Sequence, residues 1–65
     1  MAETNYPDVM TIDEAAAYLR VHPQTIRRRV KDGTLPGASI GRTWRVRRVD
    51  LDRFLAGELR EARHD

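Results

Sequence analysis

A chain of 65 residues without a single cysteine has to be held together by packing alone or by a partner. Below roughly 70–80 residues a core seldom supplies more than ~3–5 kcal/mol, and disulfides are the usual reinforcement. Their absence also removes thiolate nucleophiles and zinc ribbons from consideration. No apolar run approaches the ~18 residues that a membrane span needs, and the first residues lack the basic start and apolar core of a secretory signal. One small domain without a membrane segment is expected, with the cytoplasm as its compartment.

The net charge of +2 conceals a segregated pattern. Arg20 to Arg48 holds nine basic residues against the single acid Asp32, a local balance of +8, whereas the flanks sum to −6. A positive middle between acidic ends attracts a polyanion without making the whole protein repel itself, which makes nucleic acid the first partner to test. The competing reading is a solvated charged surface, or a basic patch for acidic proteins or membrane surfaces.

Residues 1–9 show no apolar period and contain Pro7, and read as a flexible lead-in. Thr11-Ile12-Asp13-Glu14 fits a capping box, with Met10 placed as a hydrophobic staple toward Ala15. Ile12, Ala15, Ala16 and Leu19 then share one helical face. A second helix begins at Pro23, with His22 as its cap, and ends near Gly33. Ile26 and Val30 face inward, so Gln24, Arg27, Arg28 and Lys31 point outward at 100° per residue, while Arg29, nearest the buried stripe, is expected to pack its stem or pair with an acid.

Ala38-Ser39-Ile40 and Trp44-Arg45-Val46-Arg47 flank Gly41-Arg42-Thr43, which predicts a β-hairpin. Period two turns Trp44 and Val46 toward the core and Arg45 and Arg47 away from it. Trp44 is read as a core residue pinning this hairpin to the helices. From about Asp50 a third helix is expected, with Leu51, Phe54, Leu55, Leu59 and Ala62 on its apolar side and Asp50 and Asp52 complementing its dipole. Gly57 weakens it midway. The fold class is therefore mainly α with a small β-hairpin: three helices plus a two-stranded wing. Residues 10–56 form the domain, and residues 57–65 form a C-terminal helix extension and tail.

Taken together, Thr11-Ile12-Asp13-Glu14-Ala15-Ala16, Pro23-Gln24-Thr25-Ile26-Arg27-Arg28-Arg29-Val30, Asp32-Gly33-Thr34-Leu35-Pro36, Gly41-Arg42-Thr43-Trp44-Arg45-Val46 and Asp50-Leu51-Asp52-Arg53-Phe54-Leu55 resemble the MerR-like, excisionase-type winged helix-turn-helix DNA-binding domains. The resemblance covers about Met10 to Leu55. It implies that the second helix enters the major groove and that the hairpin tip reaches the neighbouring minor groove or backbone. By matching position, Gln24, Thr25, Arg28 and Lys31 take the groove-facing role, Arg27 a groove-edge or phosphate role, and Arg42 the wing-tip role.

The chemistry of those residues suits the assignment on its own terms. Arg bonds guanine bidentately, Gln bonds adenine, and an Arg in a narrow minor groove meets enhanced negative potential. Thr43, Arg45 and Arg47 add the wing to the expected DNA-binding set. Gln24, Thr25, Arg27, Arg28, Lys31 and Arg42 complete it.

The expected partners are double-stranded DNA, neighbouring copies on that DNA, and an integrase if the chain is an excisionase that binds and bends DNA cooperatively. A minimal transcriptional regulator of the same fold is the alternative, and a protein-interaction adaptor a further one. His22 and His64 have no ligand spacing that suggests a metal. There is no phosphate loop or nucleophile set for an enzyme. No catalysis, cofactor, metal or small-molecule effector is expected.

Overall fold

The computed structural model describes residues 6–59. Its elements in chain order are β1 (Val9–Thr11), α1 (Ile12–Leu19), α2 (Pro23–Lys31), β2 (Ala38–Ile40), β3 (Thr43–Arg47) and α3 (Arg48–Leu55). The strands form one antiparallel sheet in the order β1-β3-β2, against which the helices pack. The arrangement is that of a small winged helix-turn-helix domain, as the sequence predicts, except that the wing acquires a third strand.

The start of α1 follows the capping box. The Glu14 amide donates to Thr11 Oγ1 at 3.1 Å, and the Thr11 amide donates to Glu14 Oε1 at 2.9 Å, so two of the donors that any helix start leaves unpaired are satisfied reciprocally. The cap of α2 also forms at the predicted residue, the Gln24 amide donating to His22 Nδ1 at 3.0 Å with Pro23 in the first turn. At the far end of α2, Asp32 Oδ1 accepts from the Thr34 amide at 2.8 Å and Oδ2 from Arg29 at 3.2 Å. Arg29 thus pairs with an acid, as its position near the buried stripe predicts.

The hydrogen bonds from Thr34 and then Arg29 hold the Asp32 carboxyl below its ordinary value. A carboxyl lowered in the folded state contributes stability that is present above its unfolded value, about 3.9, and that is lost as the pH falls through the lowered one. Asp32→Asn is expected to flatten this acid-side loss in a series of thermal melts below about pH 4, whereas an unchanged profile would deny Asp32 that role.

Nine buried apolar side chains make the core: Met10, Ile12, Ala15, Ala16, Ile26, Val30, Leu35, Val46 and Leu51. Every element except β2 supplies at least one, and the loop after α2 supplies Leu35. The buried alanines of α1 let α2 approach closely, since each keeps a side chain no larger than a methyl between the helices. Trp44 packs against this core without entering it and remains half-buried.

Three expectations require correction. First, the lead-in is not loose over residues 6–9. Val9 pairs with Arg47 in the sheet, the Tyr6 ring stands edge-on to Tyr18 at 5.1 Å, and Arg48 donates to Tyr6 O and Asp8 Oδ1, both at 2.9 Å. The ring contact spans 12 residues and the other ties about 40, so no local pattern reveals them. Residues 1–5 lie outside the described residues.

Second, α3 stops at Leu55 and does not run through Gly57 to Leu59. Gly57 adopts φ +83°, its amide donates to Phe54 O at 3.1 Å, and the Glu58 amide donates to Arg53 O at 2.9 Å. This is the glycine-terminated helix end in which a left-handed residue turns the chain to satisfy the last carbonyls. Leu55, read as part of an apolar stripe, is 70 % exposed. The predicted extension beyond Leu59 lies outside the described residues.

Third, α3 begins at Arg48, two residues earlier than expected, because β3 runs into it without a loop. Asp50 is consequently buried, 1 % exposed, and is more than a complement to the helix dipole. Asp52 is also engaged, accepting a hydrogen bond from the Tyr18 hydroxyl, which pushes the Tyr18 phenol up from its usual value. That bond ties α1 to α3.

Candidate nucleic-acid interface

The outward face of α2 presents Gln24, Arg27, Arg28 and Lys31 as exposed side chains, opposite the buried Ile26 and Val30. Thr25, predicted on the same surface, is half-buried, and its amide donates to His22 O at 2.9 Å. Arg27 is steadied by donating to Gln24 Oε1 at 2.9 Å. Two side chains one helical turn apart thereby hold each other in place.

The hairpin turns over two residues, Gly41 and Arg42, between the paired Ile40 and Thr43. Gly41 takes φ +65° and Arg42 does not take a positive φ. Those are the φ signs of the two-residue turn with glycine first, whose twist matches that of the flanking strands. Arg42 is thereby placed at the tip, exposed. Thr43, expected in the turn, is the first residue of β3; its hydroxyl donates to Ile40 O at 3.2 Å and accepts from Arg45 at 2.8 Å. Arg45 also donates to Trp44 O at 3.2 Å.

Between helix and hairpin runs an open groove of about 510 Å³ lined by Thr11, Ile12, Asp13, Arg27, Arg42, Thr43, Trp44 and Arg45. It brings together four of the predicted residues from two elements: Arg27 of α2 with Arg42, Thr43 and Arg45 of the wing. Trp44, half-buried, forms part of its wall. Its indole therefore serves both the wing's attachment and the groove's shape.

Ion pairing sorts the cations in a way the sequence does not show. Arg29, Arg47, Arg48 and Arg53 are each matched to an acid, namely Asp32, Asp50, Asp8 and Glu58. Arg20, Arg27, Arg28, Lys31, Arg42 and Arg45 have no acidic partner among the described residues. Charges that remain unneutralised carry the field that a polyanion feels. Five of these six lie on α2 or the wing.

Arg47 belongs with the first group. Its Nε donates to Asp50 Oδ2 at 2.8 Å and its Nη2 to Asp50 Oδ1 at 3.2 Å, a two-pronged pair that raises the guanidinium's already high pKa. It sits at the end of β3 away from the tip, at the N-cap position of α3, where its side chain makes no capping hydrogen bond. The structure brings it into a fold-stabilising pair and not into the groove. Sequence reasoning had no signal for this, because the burial that makes Asp50 demand a cation comes from packing between α3 and the rest of the domain.

Arg20 is the converse omission, an exposed cation in the turn between α1 and α2 with no partner among the described residues, which the sequence reading left out of the DNA-binding set. Among the described residues no helix is long and apolar enough to cross a membrane.

No curated protein and no solved structure matches the chain. Residues 9–59, however, match the protein-family profile described as a helix-turn-helix domain, and that span opens at β1 and closes just after α3. Since the match covers most of the sequence and coincides with the folded unit, the chain belongs to the helix-turn-helix domain family and is a DNA-binding domain.

Proposed function

We propose that this domain is a sequence-specific accessory factor of the excisionase type, which reads double-stranded DNA with α2, reaches the adjacent minor groove with Arg42, and bends the duplex as neighbouring copies bind. The observation that carries the reading is the set of unneutralised cations on α2 and the wing flanking one open groove. Gln24, Thr25, Arg28 and Lys31 face the major groove, Arg27 its edge, and Arg42, Thr43 and Arg45 the neighbouring groove and backbone. The reading involves no catalytic step, no cofactor and no effector, and leaves Arg47 to the fold.

Assembly on DNA is preferred to a preformed dimer because α3 is eight residues long, whereas a coiled coil wants at least three or four heptads. A single module of this size buries roughly 600–1,000 Å² of protein surface on DNA, which is little for discrimination among genomic sites. Analytical ultracentrifugation of the free protein, followed by gel shifts on one-site and multi-site fragments, tests the mechanism, with the bend measured by circular permutation. A monomer that fills adjacent sites cooperatively on bent DNA supports it. A tight free dimer on straight DNA favours a conventional transcriptional regulator.

Arg28→Ala is expected to cost about 1–3 kcal/mol on the specific site and to relax preference at one base position. Equal loss on specific and random DNA would remove Arg28 from base reading. Arg47→Ala, by contrast, leaves the buried Asp50 carboxylate without its partner. It should lower folding stability, seen as an earlier thermal unfolding, before any direct effect on DNA.

A further inference from the structure

Arg20 is the one residue other than glycine with a positive φ among the described residues, at φ 61° and ψ 45°. The geometry is that of a helix end: the Arg20 amide donates to Ala17 O at 3.2 Å and the Val21 amide to Ala16 O at 2.9 Å. At this position of the motif glycine is the usual residue, because a Cβ crowds the following carbonyl in the left-handed region. The Arg20 side chain does nothing in the fold to offset this strain: it is exposed and has no hydrogen bond or ion pair among the described residues. A position with a structural reason to be glycine therefore carries a free cation. It lies two residues before His22, which caps α2, and four before Gln24, the first exposed side chain of the outward face.

We infer that Arg20 is a positioning residue that contacts a DNA phosphate at the turn leading into α2 and thereby sets how α2 sits in the major groove. This rests on the proposed docking of α2. When the N-terminal residues of a recognition helix meet base edges, the preceding helix crosses the sugar-phosphate backbone, and the turn between them lies against it. The Nδ1 of His22 accepts from the Gln24 amide, so the ring's proton is on Nε2. The start of α2 thus offers donors and positive charge and, from Arg20 through Gln24, no acid. Backbone contacts of this kind fix register and orientation and carry no sequence information themselves.

The test compares wild type, Arg20→Gly and Arg20→Lys by thermal unfolding and by DNA affinity on one specific duplex across a salt series. Arg20→Gly is expected to melt about 2–6 °C higher, as relief of left-handed strain predicts, yet to bind several-fold more weakly, with a salt slope shallower by about 0.9, the value of one phosphate contact. Arg20→Lys, which keeps the charge, is expected to keep the wild-type slope. A stabilised glycine variant with unchanged affinity and slope overturns the inference while leaving the docking of α2 intact. A wild-type slope near zero overturns both.

Discussion

Raising the salt concentration from about 50 to about 200 mM is expected to weaken specific DNA binding by between two and three orders of magnitude. The expectation comes from the cations that the fold leaves unneutralised: Arg20, Arg27, Arg28, Lys31, Arg42 and Arg45. If about 4–6 of these contact phosphates, counterion release gives a slope of log K on log salt of roughly −4 to −5. Fluorescence anisotropy with a labelled duplex over a salt series reads the slope directly. The paired arginines provide an internal control. Arg53→Ala breaks an exposed pair with Glu58 and should leave the slope unchanged, whereas Arg42→Ala should make it shallower by about 0.9. A slope that follows total basic residues and ignores their pairing would refute the sorting.

Met10→Ala is expected to unfold most of the protein at room temperature. Met10 is fully buried, lies opposite Val46 in the sheet and immediately precedes the capping box of α1. Replacing a buried Met by Ala costs about 2–5 kcal/mol, comparable with the ~3–5 kcal/mol that a core of this size supplies. Val9→Ala, one residue earlier on a side chain that is 51 % exposed, should change little. Circular dichroism melts of the two variants make the comparison. A well-folded Met10→Ala protein would show that β1 and its inward side chain are dispensable to the core.

Trp44 carries a related lesson about size. Period two correctly turned it toward the helices, but its half-buried position at the groove wall means that its removal disturbs the binding surface as well as the packing. Alternation tells which side of a sheet a residue faces; it does not tell how much of that side the helices cover.

The parts of this protein that were legible in the amino-acid sequence are those governed by contacts within about four residues. Thr11 and Glu14 close their box, His22 and Pro23 open α2, Gly41 turns the hairpin, and Ile26 and Val30 point Arg28 and Lys31 outward. Each follows from local hydrogen bonding or from helical and strand periods that need no knowledge of the rest of the chain. The tertiary structure alone decided that β1 joins β3, that Tyr6 and Asp8 are tied down by Tyr18 and Arg48, and that Asp50 is buried and claims Arg47. It also decided which cations remain free, because an ion pair such as Arg48 with Asp8 joins residues 40 positions apart. Whether a charge belongs to the fold or to a ligand depends on what packing brings beside it, and the charge pattern along the chain records only its sign.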